Sequence, residues 1–303
     1  MSQTFRGGVM SQAFQHERVE PRAVTFPQPL RQARPPVAGH YEAVSRVIGL
    51  MHERLEEPLS LQDMSRVAFI SQFHFNRVFR QVTGIPPHQF LYALRLEMAK
   101  RLLLTTGESV TDVCFDVGYN SLGTFTRRFT ELVGISPNRF RAFRESAASV
   151  LQHLPSPPET PTEPGLFIEG RALTPEGFQG TIFLGLFTTP IPQGNPVVGT
   201  VLTQPGFFRL PPAPDGDYYI LGAGLPWSED HREYLLYESA LRGGAAVRVR
   251  GGRAAVPADL VLRPPTPFDP PILVSLPLLL SGVAKATAHQ SSAPTRARTT
   301  WKV

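Results

Sequence analysis

The sequence predicts a multidomain chain in which an all-α body is followed by an all-β, sandwich-like body. Three observations predict it. Proline is uneven: of the 31 prolines in 303 residues, residues 1–40 hold 5, residues 41–146 hold 4 and residues 147–303 hold 22. Proline removes a backbone donor and breaks helix interiors, so the middle segment can be helical and the last cannot. Apolar residues recur at helical spacing between 41 and 146, and close to every second position after 165. A third sign is a segment that repeats at an offset of 50 residues inside the helical part.

Residues 1–40 carry Pro21, Pro27, Pro29, Pro35 and Pro36 without a period and read as a flexible leader. From Tyr41, the residues Val44, Val47, Ile48, Met51 and Leu55 mark a helix that Pro58 stops. Ser60, with Asp63 three residues on, is a cap pattern for a short helix over 61–68. Ser71 opens a third helix through Phe75, Val78, Phe79 and Val82, ended by Gly84. Pro86 and Pro87 start a long helix to Thr106, ended by Gly107. Short and longer helices follow over 110–117 and 121–133, ended by Gly118 and Gly134. Ser136 and Pro137 open a last turn or helix through Phe140 and Phe143. Residues 147–164 contain five prolines and read as a semi-rigid linker. Strand candidates in the β body, residues 165–280, are 166–173, 181–187, 197–203, 206–210, 218–222, 234–239, 245–250, 259–262 and 272–276. Residues 281–303 are polar and read as a disordered tail.

The repeat carries the function. Ser71, Phe75, Arg77, Phe79, Gly84, Ile85, Pro87 and Phe90 recur as Ser121, Phe125, Arg127, Phe129, Gly134, Ile135, Pro137 and Phe140. In each copy a short helix, a tight turn and a longer helix follow one another. That is the helix-turn-helix pattern, whose second helix lies in the DNA major groove with its N-terminal residues at base edges. Helical geometry puts Phe75, Val78, Phe79 and Val82 on a core face, with Phe125, Phe129 and Leu132 as counterparts. Gln72, Phe73, Asn76, Arg77 and Arg80 then face partly or wholly outward, as do Gly123, Thr124, Thr126, Arg127 and Arg128. These ten are the candidate DNA-binding residues. Arginine pairs bidentately with guanine and asparagine with adenine.

Residues 41–146 resemble the tandem helix-turn-helix DNA-binding domain of the AraC/XylS family of bacterial transcription regulators. SLQDMSRVAFISQFHFNRVFRQVTGIPPHQFLYALRLEMAKRLLL and VTDVCFDVGYNSLGTFTRRFTELVGISPNRFRAF carry the resemblance. It implies a seven-helix domain whose two recognition helices enter successive major grooves. The joining helix agrees, since residues 87–104 span roughly 27 Å, near the ~34 Å of one DNA turn. Phe69 stands where the family usually has glycine, so a distorted first turn or an altered partner face is expected. Leu122 and Gly123 stand where the family often has polar readers, so base reading there rests on Thr126 and Arg127.

The β body resembles the carboxypeptidase-regulatory or transthyretin-like β-sandwich, on the segments 170–177, 205–210 and 215–220. Such modules bind or support; fold alone names no function. Its aromatics Tyr218, Tyr219, Trp227, Tyr234 and Tyr237 are either core or a ligand face. Asp215, Asp217, Glu229, Asp230 and Glu233 read as a solvated loop rim rather than an acid–base pair. No nucleophile arrangement, phosphate loop or His/Cys metal spacing occurs, so neither an enzyme nor a cofactor or metal is expected. One cysteine, Cys114, excludes a disulfide framework and reads as a buried thiol. The net charge of +5 comes from 27 arginines and 3 lysines, a bias that a GC-rich coding sequence would also produce. Charge alone is therefore weak evidence for nucleic acid. The longest apolar run, 272–280, is too short for a bilayer, and the expected location is the cytoplasm. The expected partners are double-stranded DNA, a small-molecule effector or protein at the β body, and RNA polymerase. The alternative is an interaction protein whose β body binds a protein or carbohydrate while the helices hold DNA loosely.

Overall fold

The second helix of each copy is preceded by a helix that begins with the same device. Ser60 caps α2 (Leu61–Ala68) and exchanges hydrogen bonds with Asp63 in a capping box, and Ser109 with Asp112 does the same for α5 (Val110–Asp116). These cover two of the amide groups that every helix start leaves unpaired. The computed structural model describes residues 38–143, 167–230, 232–254 and 258–275. Most of the expected leader, the linker and the tail lie outside the described residues. The remaining helices of the first part are α1 (Ala38–Glu53), α3 (Gln72–Thr83), α4 (Pro87–Thr105), α6 (Leu122–Val133) and α7 (137–143). α1 starts three residues before the expected Tyr41 and ends before Pro58.

The helices enclose two cores. The first gathers Val44, Val47, Met51, Met64, Phe75 and Phe79 with Leu91 and Leu94. The second gathers Val113, Cys114, Phe125, Phe129 and Phe140 with Ala93, Leu96 and Leu103. α4 thus serves both. It is buried on almost every side, which is why its sequence lacks a polar stripe.

The two copies differ by one residue in their turns. The first helices correspond at an offset of 49 (Ser60 to Ser109, Phe69 to Gly118), the second at 50 (Ser71 to Ser121). Both turns need a left-handed residue after the first helix, supplied by Phe69 (φ 58) and Gly118 (φ 78). Ile70 N–H donates to the Ser65 carbonyl and Tyr119 N–H to that of Cys114, the same closing bond in each copy. Of the two expected outcomes, a distorted first turn does not occur: Phe69 adopts the conformation glycine would take. A bulky side chain there costs ~1–2 kcal/mol, and Arg46 over the ring at 5.4 Å offsets part of it. Phe69→Gly is expected to raise stability by about 0.5–1 kcal/mol, read as a higher denaturant midpoint with an unchanged slope.

The second part is β-rich. Its elements are β1 (Ile168–Leu173), β2 (Gly180–Phe187), β3 (Val198–Leu202), β4 (Gly206–Leu210), β5 (Gly216–Pro226), α8 (Glu233–Leu236), β6 (Leu241–Arg250), β7 (Arg253–Ala254) and β8 (Leu260–Val261). One sheet has the order β4-β1-β8, the other β3-β2-β5-β6-β7. Every pairing is antiparallel except β1 with β8. Ile168, Phe208 and Leu260 of the first sheet share a core with Ile182, Leu184, Ile220 and Val247 of the second. The second sheet's other face packs Phe183, Phe187 and Leu221 against Tyr234, Tyr237, Ile272 and Val274. That sheet is thus covered on both sides, and β2 is buried along its whole length.

Two expected strands are corrected. Residues 234–239 form no strand: α8 and a left-handed Tyr237 (φ 61) occupy that stretch. Residues 272–275 form no strand: the chain bends at Val274, and the Leu273 and Val274 amides both donate to the Pro192 carbonyl. Of the aromatics, Tyr234 and Tyr237 are core, Tyr218 and Tyr219 are half-buried, and Trp227 is exposed. Among the described residues no helix is long and apolar enough to cross a membrane.

Candidate nucleic-acid interface

α3 and α6 each pack one face against a core and leave the opposite face bare. Ser71 Oγ accepts from the His74 amide at 3.5 Å and Ser121 Oγ from the Thr124 amide at 3.4 Å, fixing the helix starts. Gly84 (φ 82) and Gly134 (φ 95) end them. Inward, Phe75, Phe79 and Phe90 meet edge-on with centroids 5.5 Å apart at each step. Phe125, Phe129 and Phe140 repeat the chain at 5.6 Å per step. Of the expected core residues, Val82 and Leu132 are only half-buried.

The opposite faces look into solvent. Gln72, Phe73, Asn76, Arg77 and Arg80 are all exposed, Phe73 at 86%. Its ring lies three and four residues from Asn76 and Arg77, on the same outer face of the helix. On α6, Gly123, Thr124 and Arg127 are exposed and Thr126 is half-buried. Arg128 turns sideways, half-buried, with its guanidinium 4.6 Å over the Tyr92 ring of α4. Among the described residues Arg77, Arg80 and Arg127 form no ion pair. Three guanidinium groups thus remain available to an external anion.

Between the two units lies a cleft of about 470 Å³, lined by Ser60, Tyr92, Arg95, Tyr119, Ser121 and Arg128 among others. The Tyr119 hydroxyl is buried without a hydrogen-bond partner among the described residues, and burial pushes its pKa up to about 12. It remains a proton donor.

Arg95 is the residue that sequence reasoning missed. Its Nε donates to the Leu55 carbonyl at 2.8 Å, Nη2 to Glu57 at 2.7 Å and Nη1 to Gly118 at 3.0 Å. One guanidinium therefore joins the entry of the first unit to the turn of the second. Burial pulls its pKa below the ordinary arginine value. The only sequence signal was an arginine between Leu94 and Leu96 in a helix otherwise rich in apolar residues. Cys114 is buried as expected, and burial raises its pKa. Among the described residues no group of three or more His, Cys, Asp or Glu is placed to hold a metal ion.

A fold of paired helix-turn-helix units with bare, arginine-bearing second helices defines a DNA-binding class. A family model described as a helix-turn-helix domain matches residues 64–142. The probable transcriptional regulator LumQ of Photobacterium leiognathi is 32% identical over 93 residues, 31% of this chain and 38% of that protein. The HTH-type transcriptional activator AarP of Providencia stuartii is 30% identical over 98 residues, 32% of this chain and 73% of that protein. A solved DNA-binding domain of AdpA in complex with target DNA is 31% identical, covering 34% of this chain and 95% of that one, with a TM-score of 0.33. The chain belongs to the AraC family of helix-turn-helix transcription regulators. It spans under two-fifths of the length of LumQ and of the regulator YobQ of Bacillus subtilis.

Proposed function

We propose that this chain is a sequence-specific DNA-binding regulator that inserts α3 and α6 into successive major grooves. The observation that carries the reading is the pair of matched helices with exposed, unpaired Arg77, Arg80 and Arg127 on their outer faces. Gln72, Phe73, Asn76, Arg77 and Arg80 would meet bases or phosphates of one groove, and Gly123, Thr124, Thr126 and Arg127 those of the next. Arg128 and the unpartnered Tyr119 hydroxyl in the cleft suit backbone phosphate, which positions the protein without specifying sequence.

The division into a DNA-binding domain over 41–146, a linker over 147–164 and a β domain over 165–280 is part of the proposal. So is the sandwich: the core shared by both sheets supports it. The β domain binds an effector or a partner; exposed Phe207 and Trp227 support a contact surface there.

Selection from random DNA with the full chain tests the reading. A defined motif covering two helical turns is expected. Arg77→Ala and Arg127→Ala should each lose roughly 1–3 kcal/mol of discrimination at their own base pairs. Wild-type discrimination by both variants in competition binding would sink the assigned faces.

A further inference from the structure

The β-rich part is seated on both helix-turn-helix units at once. Ile191, in the loop between β2 and β3, joins the first unit's core. Phe268 packs against the same core and meets Tyr41 edge-on at 5.4 Å. Leu235 of α8 and Leu273 join the second unit's core.

Backbone bonds tie the same surfaces. Gly194 N–H donates to the Leu132 carbonyl at 2.7 Å, and Ser275 N–H to the Val133 carbonyl at 3.0 Å. Those are last-turn carbonyls of α6, which a helix end leaves without intrahelical partners. The β-rich part thus caps the candidate recognition helix. Gly194 has φ +66, and a Cβ on it would stand 3.2 Å from the Glu131 carbonyl oxygen, so the approach suits glycine.

At the centre of the joint Lys100 of α4 is fully buried. Its Nζ donates to the Ile272 carbonyl at 3.0 Å and lies 4.6 Å from the Tyr237 ring centroid. Buried Arg242 of β6 and half-buried Glu97 of α4 lie close by, and Arg101 pairs with Glu238 at 2.7 Å on the rim. Burial lowers the Lys100 pKa to about 7. Every partner of that ammonium across the joint comes from the β-rich part.

We infer that the β-rich part is a splint: by gripping both units it fixes the angle between α3 and α6, and so the half-site spacing the chain accepts. The inference rests on the reading of α3 and α6 as DNA readers. One base pair more or less between half-sites rotates one relative to the other by roughly 34° and shifts it by about 3.4 Å. A unit held by Leu273 and Gly194 on one side and Ile191 on the other cannot follow that rotation without breaking contacts.

Hydrogen exchange on the full chain tests the docking without DNA. The Gly194 and Ser275 amides are expected to exchange slowly. In Lys100→Glu, which sets a carboxylate against the Ile272 carbonyl, and in Gly194→Val, they should exchange at open-loop rates while β2, β5 and α4 stay protected. Binding to the selected site with one base pair added or removed tests the consequence. Wild type should lose about tenfold in affinity, and both variants distinctly less. Open-loop exchange of Gly194 and Ser275 in the wild type would overturn the docking. Undocked variants with the wild-type spacing preference would overturn the splint. Absence of any selected motif would overturn the DNA reading and with it the spacing role, whereas the exchange result would stand by itself.

Discussion

Arg95→Met is expected to lower folding stability by roughly 3–5 kcal/mol. Methionine keeps the apolar stem but removes all three donors. The carbonyls of Leu55, Glu57 and Gly118 then lose their partner at a joint where at least one of the bonds is fully buried. Hydrogen bonds to a charged donor contribute about 1.5–3 kcal/mol each, and bonds that share one side chain do not add fully. Arg95→Lys should rescue little, because a compact ammonium reaches one carbonyl rather than a fork of three. Denaturant midpoints at constant slope measure this. A loss under about 1 kcal/mol would mean that water replaces the guanidinium adequately.

Gly118→Ala should be nearly as damaging, at roughly 3–4 kcal/mol. Its φ of +78 is left-handed, and a Cβ would sit 2.6 Å from the Glu56 carbonyl oxygen and 2.9 Å from two further Glu56 backbone atoms. No flexible side chain can yield there; the backbone after α1 must move. That movement would displace the Leu55 and Glu57 carbonyls that Arg95 holds. The two substitutions therefore strike one joint, and the double variant should lose clearly less than the sum. Full additivity would show that the turn and the arginine act separately. The contrast with Phe69 is informative: the same turn position has open space in the first unit and a backbone wall in the second.

The helical part was legible because its signals are local. Caps at Ser60, Ser71 and Ser121, stops at Gly84 and Gly134, and the phenylalanine period all act within a few residues. The outward placement of Arg77 and Arg127 followed from the same period. Arg95 and Lys100 were not legible, since what they touch lies 23 to 172 residues away in sequence. The stretch 272–275 shows the limit most clearly. Its alternation was real: Ile272 and Val274 face the β-rich part, while Leu273 faces the helices. Periodicity of two reports two different faces, not a sheet partner. At 234–239 a short apolar run, Tyr234 to Tyr237, imitated a strand, but Leu235 is needed among the helices and Tyr237 against the sheet. A helical turn achieves both.

The stacked rings Phe75, Phe79 and Phe90, and their counterparts Phe125, Phe129 and Phe140, support α3 and α6 from their inner faces. The outward positions carry no share of that support. Exchanges at Gln72, Asn76, Thr124 or Arg127 should therefore alter stability by only about 0.5 kcal/mol. A lineage carrying this scaffold can drift from one operator to another without passing through an unfolded ancestor. The two copies within this chain already illustrate it: one duplicated frame presents arginine in both halves, beside glutamine, phenylalanine and asparagine in the first and leucine, glycine and threonine in the second.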